Sequence, residues 1–190
     1  MPFDDNGRSS LKPCKAELGN PGVDWQRTWH LASHSRLSSE DQTFLWRMLH
    51  NILPTQARLH RMGMRNSPTP NCLHCDSSEP ESLQHALVIC PKNREVTNWF
   101  LTIVHQHLPG LEPQQLVLLD LGNLEESIQF PIVWFISNAL SQVWQARKDK
   151  KSPNLFSIRS TLEARVSILR KARLENHCAI IETMLNIVTG

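Results

Sequence analysis

Apolar residues recur three and four positions apart over most of this chain, the spacing that lines one face of an α-helix. Trp25 and Trp29 begin the pattern, behind Asp24 as a candidate helix cap. Ser38 and Ser39, with Asp41 and Gln42 three residues on, form a capping-box signature. The stripe Phe44, Leu45, Met48, Leu49 and Ile52 follows, with Asn51 and Pro54 as its stop. A short helix is expected from Thr55 to about Met62, ended by Gly63. After Cys90 and Pro91, the positions Val96, Trp99, Phe100, Ile103 and Val104 give another stripe, closed by Pro109 and Gly110. The apolar run Leu116 to Leu121 reads equally as a strand or a helical turn, because periodicity cannot decide over so few residues. Pro131 suits the first turn of a further helix, whose buried face is Ile132, Phe135, Ile136, Ala139, Leu140, Val143 and Trp144, with a basic end from Arg147 to Lys151. Beyond Pro153 a last long pattern carries Ile158, Leu162, Val166, Leu169, Leu174, Ile180, Ile181, Leu185 and Ile187, with an interruption near Asn176. The reading is all-α. We divide it into a polar lead-in over 1–22, a helical domain over 23–108 and a C-terminal helical region over 109–190.

The stretch between the third and fourth of these patterns has too few apolar side chains to order itself. It contains Cys72, Cys75, His85 and Cys90, which spell C-x2-C-x9-H-x4-C. Thiolate and imidazole ligands suit Zn²⁺, and four protein ligands leave no open position for catalysis. One structural zinc in a CCHC knuckle is therefore expected. The other reading is three buried cysteines acting as small apolar residues beside a surface histidine. His74 also lies in the knuckle, but ligation from between two ligating cysteines is awkward, so His85 is taken as the fourth ligand. A short helix from Glu81 to Ile89 would deliver it. Glu81, one helical turn earlier, is then placed to accept the second imidazole N–H; an acid favoured at a helix N-terminus is the alternative.

Charge adds one local feature. The formal net charge is +2, which alone says little about partners. From Phe44 to Asn71, however, there are Arg47, Arg58, Arg61, Arg65, His50 and His60 and no acidic residue. Arg58, Arg61 and Arg65 are spaced for one helix face. Together with Arg47 and His60 they form the candidate phosphate-binding surface, for RNA or DNA; a solvated helix face is the alternative. A second set, Arg165, Arg170, Lys171 and Arg173, is partly balanced by Glu163 and Glu175 and reads as a solvated face. Trp99, Trp134 and Trp144 lie on apolar stripes and are expected in the core, whereas Trp46 lies off the main stripe. The first residues have no apolar signal segment and no apolar run reaches about 18 residues, so an intracellular protein, nuclear or cytoplasmic, with no membrane contact is expected. The odd count of five cysteines leaves Cys14 and Cys178 as free thiols.

Three blocks carry a family likeness: Phe44-Leu-Trp-Arg-Met-Leu-His-Asn-Ile-Leu-Pro-Thr55, Cys72-x2-Cys75, and Glu81-Ser-x2-His85-Ala-Leu-x2-Cys90. In order and spacing they resemble the reverse-transcriptase zinc-binding domain, which lies C-terminal to the polymerase in LINE-type, non-LTR retrotransposon proteins. The likeness runs from about Trp25 to Phe100. It implies a segment that helps a polymerase handle template RNA or target DNA during target-primed reverse transcription, with a reverse transcriptase domain as a possible partner. It implies no catalytic residue here. The chain has no tyrosine, so a Tyr-x-Asp-Asp polymerase motif is absent, and it has no Pro-Asp dipeptide of the kind found in the nuclease of some relatives. Asp120, Glu125 and Glu126 do not spell a metal-bound nuclease site. The expected function is a zinc-stabilised nucleic-acid-binding module; the alternative is a zinc-stabilised protein-interaction module docking on a polymerase or other partner.

Overall fold

A computed structural model describes residues 20–75 and 77–186. Most of the expected lead-in, with Cys14, and the end of the last stripe at Ile187 lie outside the described residues. Eight α-helices occur among the described residues: α1 (Trp25–Ala32), α2 (Ser39–Leu49), α3 (Gln56–Arg61), α4 (Arg94–His105), α5 (Pro113–Leu118), α6 (Glu126–Lys148), α7 (Leu155–Lys171) and α8 (Glu175–Leu185). A single π-helical turn (His85–Ile89) and a 3-10 turn (Pro91–Asn93) lead into α4. No strand forms among them; one isolated antiparallel bridge joins Asn71 and Pro80. The fold is all-α, as expected.

The helix starts follow from local chemistry. The Asp24 carboxylate accepts the Arg27 backbone N–H at 3.0 Å and so satisfies one of the unpaired donors of the first turn. Ser38 Oγ accepts the Asp41 N–H at 3.1 Å and donates to the Asp41 carboxylate at 2.7 Å. The α2 stripe then buries Leu45, Met48 and Leu49. Asn51 ends it in the left-handed region (φ 50°), which Asn tolerates better than most residues. Gly63 does the same after α3, at φ 70°.

Helix α6 is the centre of the molecule. Every residue from Phe130 to Leu140 is buried, so the helix is covered on all sides rather than along one stripe. Helices α1, α2, α7 and α8 pack on it, and so does the π turn. The α4 stripe joins the same core through Trp99 and Phe100, whose rings lie 5.5 and 5.1 Å from that of Phe135. Among the described residues the buried apolar side chains from Leu31 to Leu185 form one main cluster, and Cys72, Cys75 and Cys90 form a second, separate one.

Of the two readings open for Leu116 to Leu121, the helical one holds: the run falls on α5 and a left-handed Leu119 (φ 51°). Two other details differ from expectation. Pro131 is not in the first turn of its helix, because α6 begins at Glu126 and Pro131 stands inside it. The hydrogen bond it cannot donate would go to the carbonyl of Ser127, an exposed residue of the first turn, and flanking buried residues hold the helix across it. The last pattern does break, but between Lys171 and Glu175, where Arg173 takes φ 60°; α8 folds back onto α7.

Candidate metal centre and cationic surface

Cys72 and Cys75 sit on a tight knuckle. The loop is zipped below it by the Asn71–Pro80 bridge and by the Glu81 N–H donating to the Pro70 carbonyl at 2.8 Å. Within the knuckle the His74 N–H points at Cys72 Sγ, at 3.4 Å. Ser82 starts the second half of the site: its hydroxyl accepts the His85 N–H at 3.0 Å. The chain then makes a π turn, in which the Cys90 N–H reaches the His85 carbonyl at 2.9 Å. This i to i+5 closure, frequent at functional sites, brings both ends of the turn to one point.

The result is a compact donor set. One ligand atom from each of Cys72, Cys75, His85 and Cys90 lies within 4.8 Å of the others, and all four residues are buried. His85 Nε2 is 3.3 Å from Cys75 Sγ, so that nitrogen faces the thiols. Three sulfurs and one imidazole nitrogen, closed off by protein, match the donor chemistry of structural zinc. Burial opposes ionising these thiols without a metal: it pushes Cys72 up to about 12, with the nearby Glu81 carboxylate adding to the rise, and it raises Cys90. A bound dication reverses that preference by stabilising the thiolates. Cys178 is a separate buried thiol, raised by burial.

Glu81 does not take the role expected of it. Because Ser82 caps the turn, Glu81 precedes the helical segment and cannot stack one turn below His85. Its Oε2 accepts instead from the Gln56 N–H, at 2.7 Å, and from the Arg147 guanidinium. His85 Nδ1 is buried and makes no hydrogen bond. The Glu81 side chain is fully buried and that of Arg147 nearly so. This ion pair therefore joins three elements: the zinc loop, the start of α3 and the end of α6. Arg147, expected only as part of the basic end of this last helix, is thus a nearly buried link as well. His74 lies in the same place, its basicity lowered by burial and by Arg147.

The cationic surface is only partly the expected one. Arg58 and Arg61 are on α3, but Gly63 ends that helix, so Arg65 lies on the following loop and not on the same helical face. Arg47, Arg61 and Arg65 are exposed. Arg58 reaches back to the end of α2 and donates to the Asn51 carbonyl at 2.9 Å. The His60 ring meets the Ser67 carbonyl at 3.0 Å through Nδ1 and pins the loop that leads to the knuckle. Among the described residues none of the four arginines pairs with a carboxylate. The second basic set differs: Arg165 reaches Asp41, at 3.4 Å, and Arg170 pairs with Glu182. Their partners come from α2 and α8, not from the neighbouring Glu163 and Glu175.

Comparison with known families gives one finding. Residues 16–97 match the family model of zinc-binding in reverse transcriptase. The matched span contains all four residues of the donor set and all four arginines. It is less than half of the 190-residue chain and stops inside α4. No curated protein and no solved structure matches the chain. The family match and the Cys3His cluster together point to one bound zinc ion. Among the described residues no helix is long and apolar enough to cross a membrane.

Proposed function

We propose that this chain is a zinc-stabilised nucleic-acid-binding module of a LINE-type reverse transcriptase protein, from the region C-terminal to the polymerase. In this reading zinc is held by Cys72, Cys75, His85 and Cys90 and has no catalytic duty. It fixes the loop against α3 and α6, and the chain's own arginines meet the phosphates of template RNA or target DNA. The chain itself catalyses nothing and works in an intracellular, reducing setting where the thiols stay available to metal.

One observation carries the reading. Arg47, Arg58, Arg61 and Arg65 stand on the surface ahead of the knuckle without a carboxylate partner among the described residues, in a stretch with no acidic residue from Phe44 to Asn71. Arginines with no internal charge to satisfy are available to an external anion. A second reading, docking on a polymerase or another protein, draws on the exposed apolar side chains of Met62, Met64 and Leu73 around the same segment.

Binding of labelled RNA and DNA across a salt series separates the two. For single strands the slope of log affinity against log salt is expected near −0.7 per phosphate contact, so roughly −2 to −3 for three or four contacts. Replacing Arg58, Arg61 and Arg65 together by Ala should remove most of the affinity and flatten the slope, with zinc retained. Replacing Arg165, Arg170 and Arg173 should do less. If neither triple variant loses affinity, the protein-docking reading becomes the better one.

A further inference from the structure

Three of the six tryptophans, Trp99, Trp134 and Trp144, are buried in the core. The other three form a connected aromatic series with one histidine. Trp25 and Trp29 lie one turn apart on α1, with ring centroids 6.4 Å apart. The Trp29 ring is 5.0 Å from that of His50, and the His50 ring is 4.4 Å from that of Trp46 on α2. These are ordinary spacings for tilted and offset aromatic pairs. All four rings are half-buried, so the series runs along the surface from α1 to the end of α2. Trp25 and Trp29 also pack on the core, but Trp46 belongs neither to the buried cluster nor to the half-buried residues packed against it. Core packing therefore accounts for one end of the series and not for the other.

The charge beside the series is mixed on α1, where the Arg27 guanidinium is bound to Asn123, and basic at the end of α2. At the Trp25 end stands Asp24, whose carboxylate is engaged as a helix cap. At the Trp46 end stand the exposed Arg47, next in sequence, and Arg58, whose guanidinium is held on the carbonyl of Asn51, the neighbour of His50. Half-buried aromatic rings and two arginines thus share the end of α2. A base stacks on an aromatic ring whatever its identity, and the backbone beside it needs positive charge. In a duplex the base faces are already stacked on one another, so only an unpaired strand presents them.

We infer that Trp46, at the open end of the Trp25–Trp29–His50–Trp46 series, stacks a base of single-stranded nucleic acid, with Arg47 and Arg58 meeting the phosphates beside it. The inference rests on the nucleic-acid reading above and narrows it to an unpaired strand. Little base preference follows, because neither stacking nor phosphate contact reads base edges.

The test uses the zinc-loaded full chain, an oligouridylate, and a duplex RNA of the same length. Tryptophan emission should fall when the single strand binds, since Trp99, Trp134 and Trp144 are shielded and the quenched rings are those of the series. The single strand should bind more tightly than the duplex by about fivefold to a hundredfold, the range for one stacked base. Trp46→Leu should abolish that preference and leave the salt slope unchanged, while Trp46→Phe keeps most of it. Equal binding of both strands, untouched by Trp46→Leu but lost in the Arg58, Arg61, Arg65 variant, overturns the stacking and spares the nucleic-acid reading. Binding of neither strand removes both. Should Trp46→Leu lose its zinc or fold, the unmodified protein decides: a single-strand complex with unquenched emission overturns the stacking.

Discussion

The zinc loop and helix α6 reach order by opposite means. From Phe130 to Leu140 every side chain of α6 is buried, and the helix is held by the surrounding apolar surface. The loop from Asn66 to Pro80 buries almost no apolar side chain other than its two cysteines, and its turns leave little for packing to hold. What fixes it is a four-residue donor set, one buried ion pair and a few hydrogen bonds to its backbone. The two regions should therefore respond to different insults, although the Glu81–Arg147 pair joins them directly. Metal removal should strike the loop and spare the helix, and a core cavity should do the reverse.

The largest effect is expected from Cys75→Ser. Structural zinc contributes on the order of 10–16 kcal/mol of apparent binding energy in zinc-finger peptides. Hydrogen exchange over 66–91 should rise to the unprotected level while α6 amides stay protected. Equal loss of protection in both regions would erase the contrast. Phe135→Ala should lower global stability by about 3–5 kcal/mol, as for other buried aromatics, and leave one zinc per chain. Denaturant unfolding with metal analysis checks it; loss of zinc from this variant would show that the core holds the site.

The link between the regions is the next target. Glu81→Gln leaves the nearly buried Arg147 without its counter-charge, which costs about 3–5 kcal/mol in comparable pairs. The double variant with Arg147→Met should recover much of that loss in a thermal or denaturant double-mutant cycle. Additive losses would mean that the two side chains act independently. The smallest effect concerns pH. Without metal, Cys72 and Cys90 keep their protons at neutral pH, because burial raises both. Zinc must displace those protons, so affinity should fall as pH falls, by about tenfold per pH unit for each proton released. Competition titrations with a chelator of known pH dependence read the slope; a flat profile would mean that the thiols are not the ligands.

The donor set was legible because coordination chemistry limits both residue type and spacing, so Cys72, Cys75, His85 and Cys90 stand out within one short stretch. The amphipathic stripes of α2 and α4 were legible for a similar reason: a period of 3.6 is local. What escaped was non-local or contested. Glu81 and Arg147 are 66 residues apart, and no periodicity encodes their meeting. Arg65 was placed on a helix face although Gly63, two residues earlier, already marked the stop. Pro131 followed its usual preference on paper, but burial of the residues on either side overrode it. The aromatic series joins two local pairs, Trp25–Trp29 and Trp46–His50, each four residues apart, and the Trp29–His50 contact that connects them is not encoded in either spacing.

The most direct test of the account is the metal content of the full chain by native mass spectrometry. One zinc per chain is expected, lost in excess chelator together with protection of 66–91, and absent from Cys75→Ser. A metal-free protein whose loop stays ordered in chelator would contradict it.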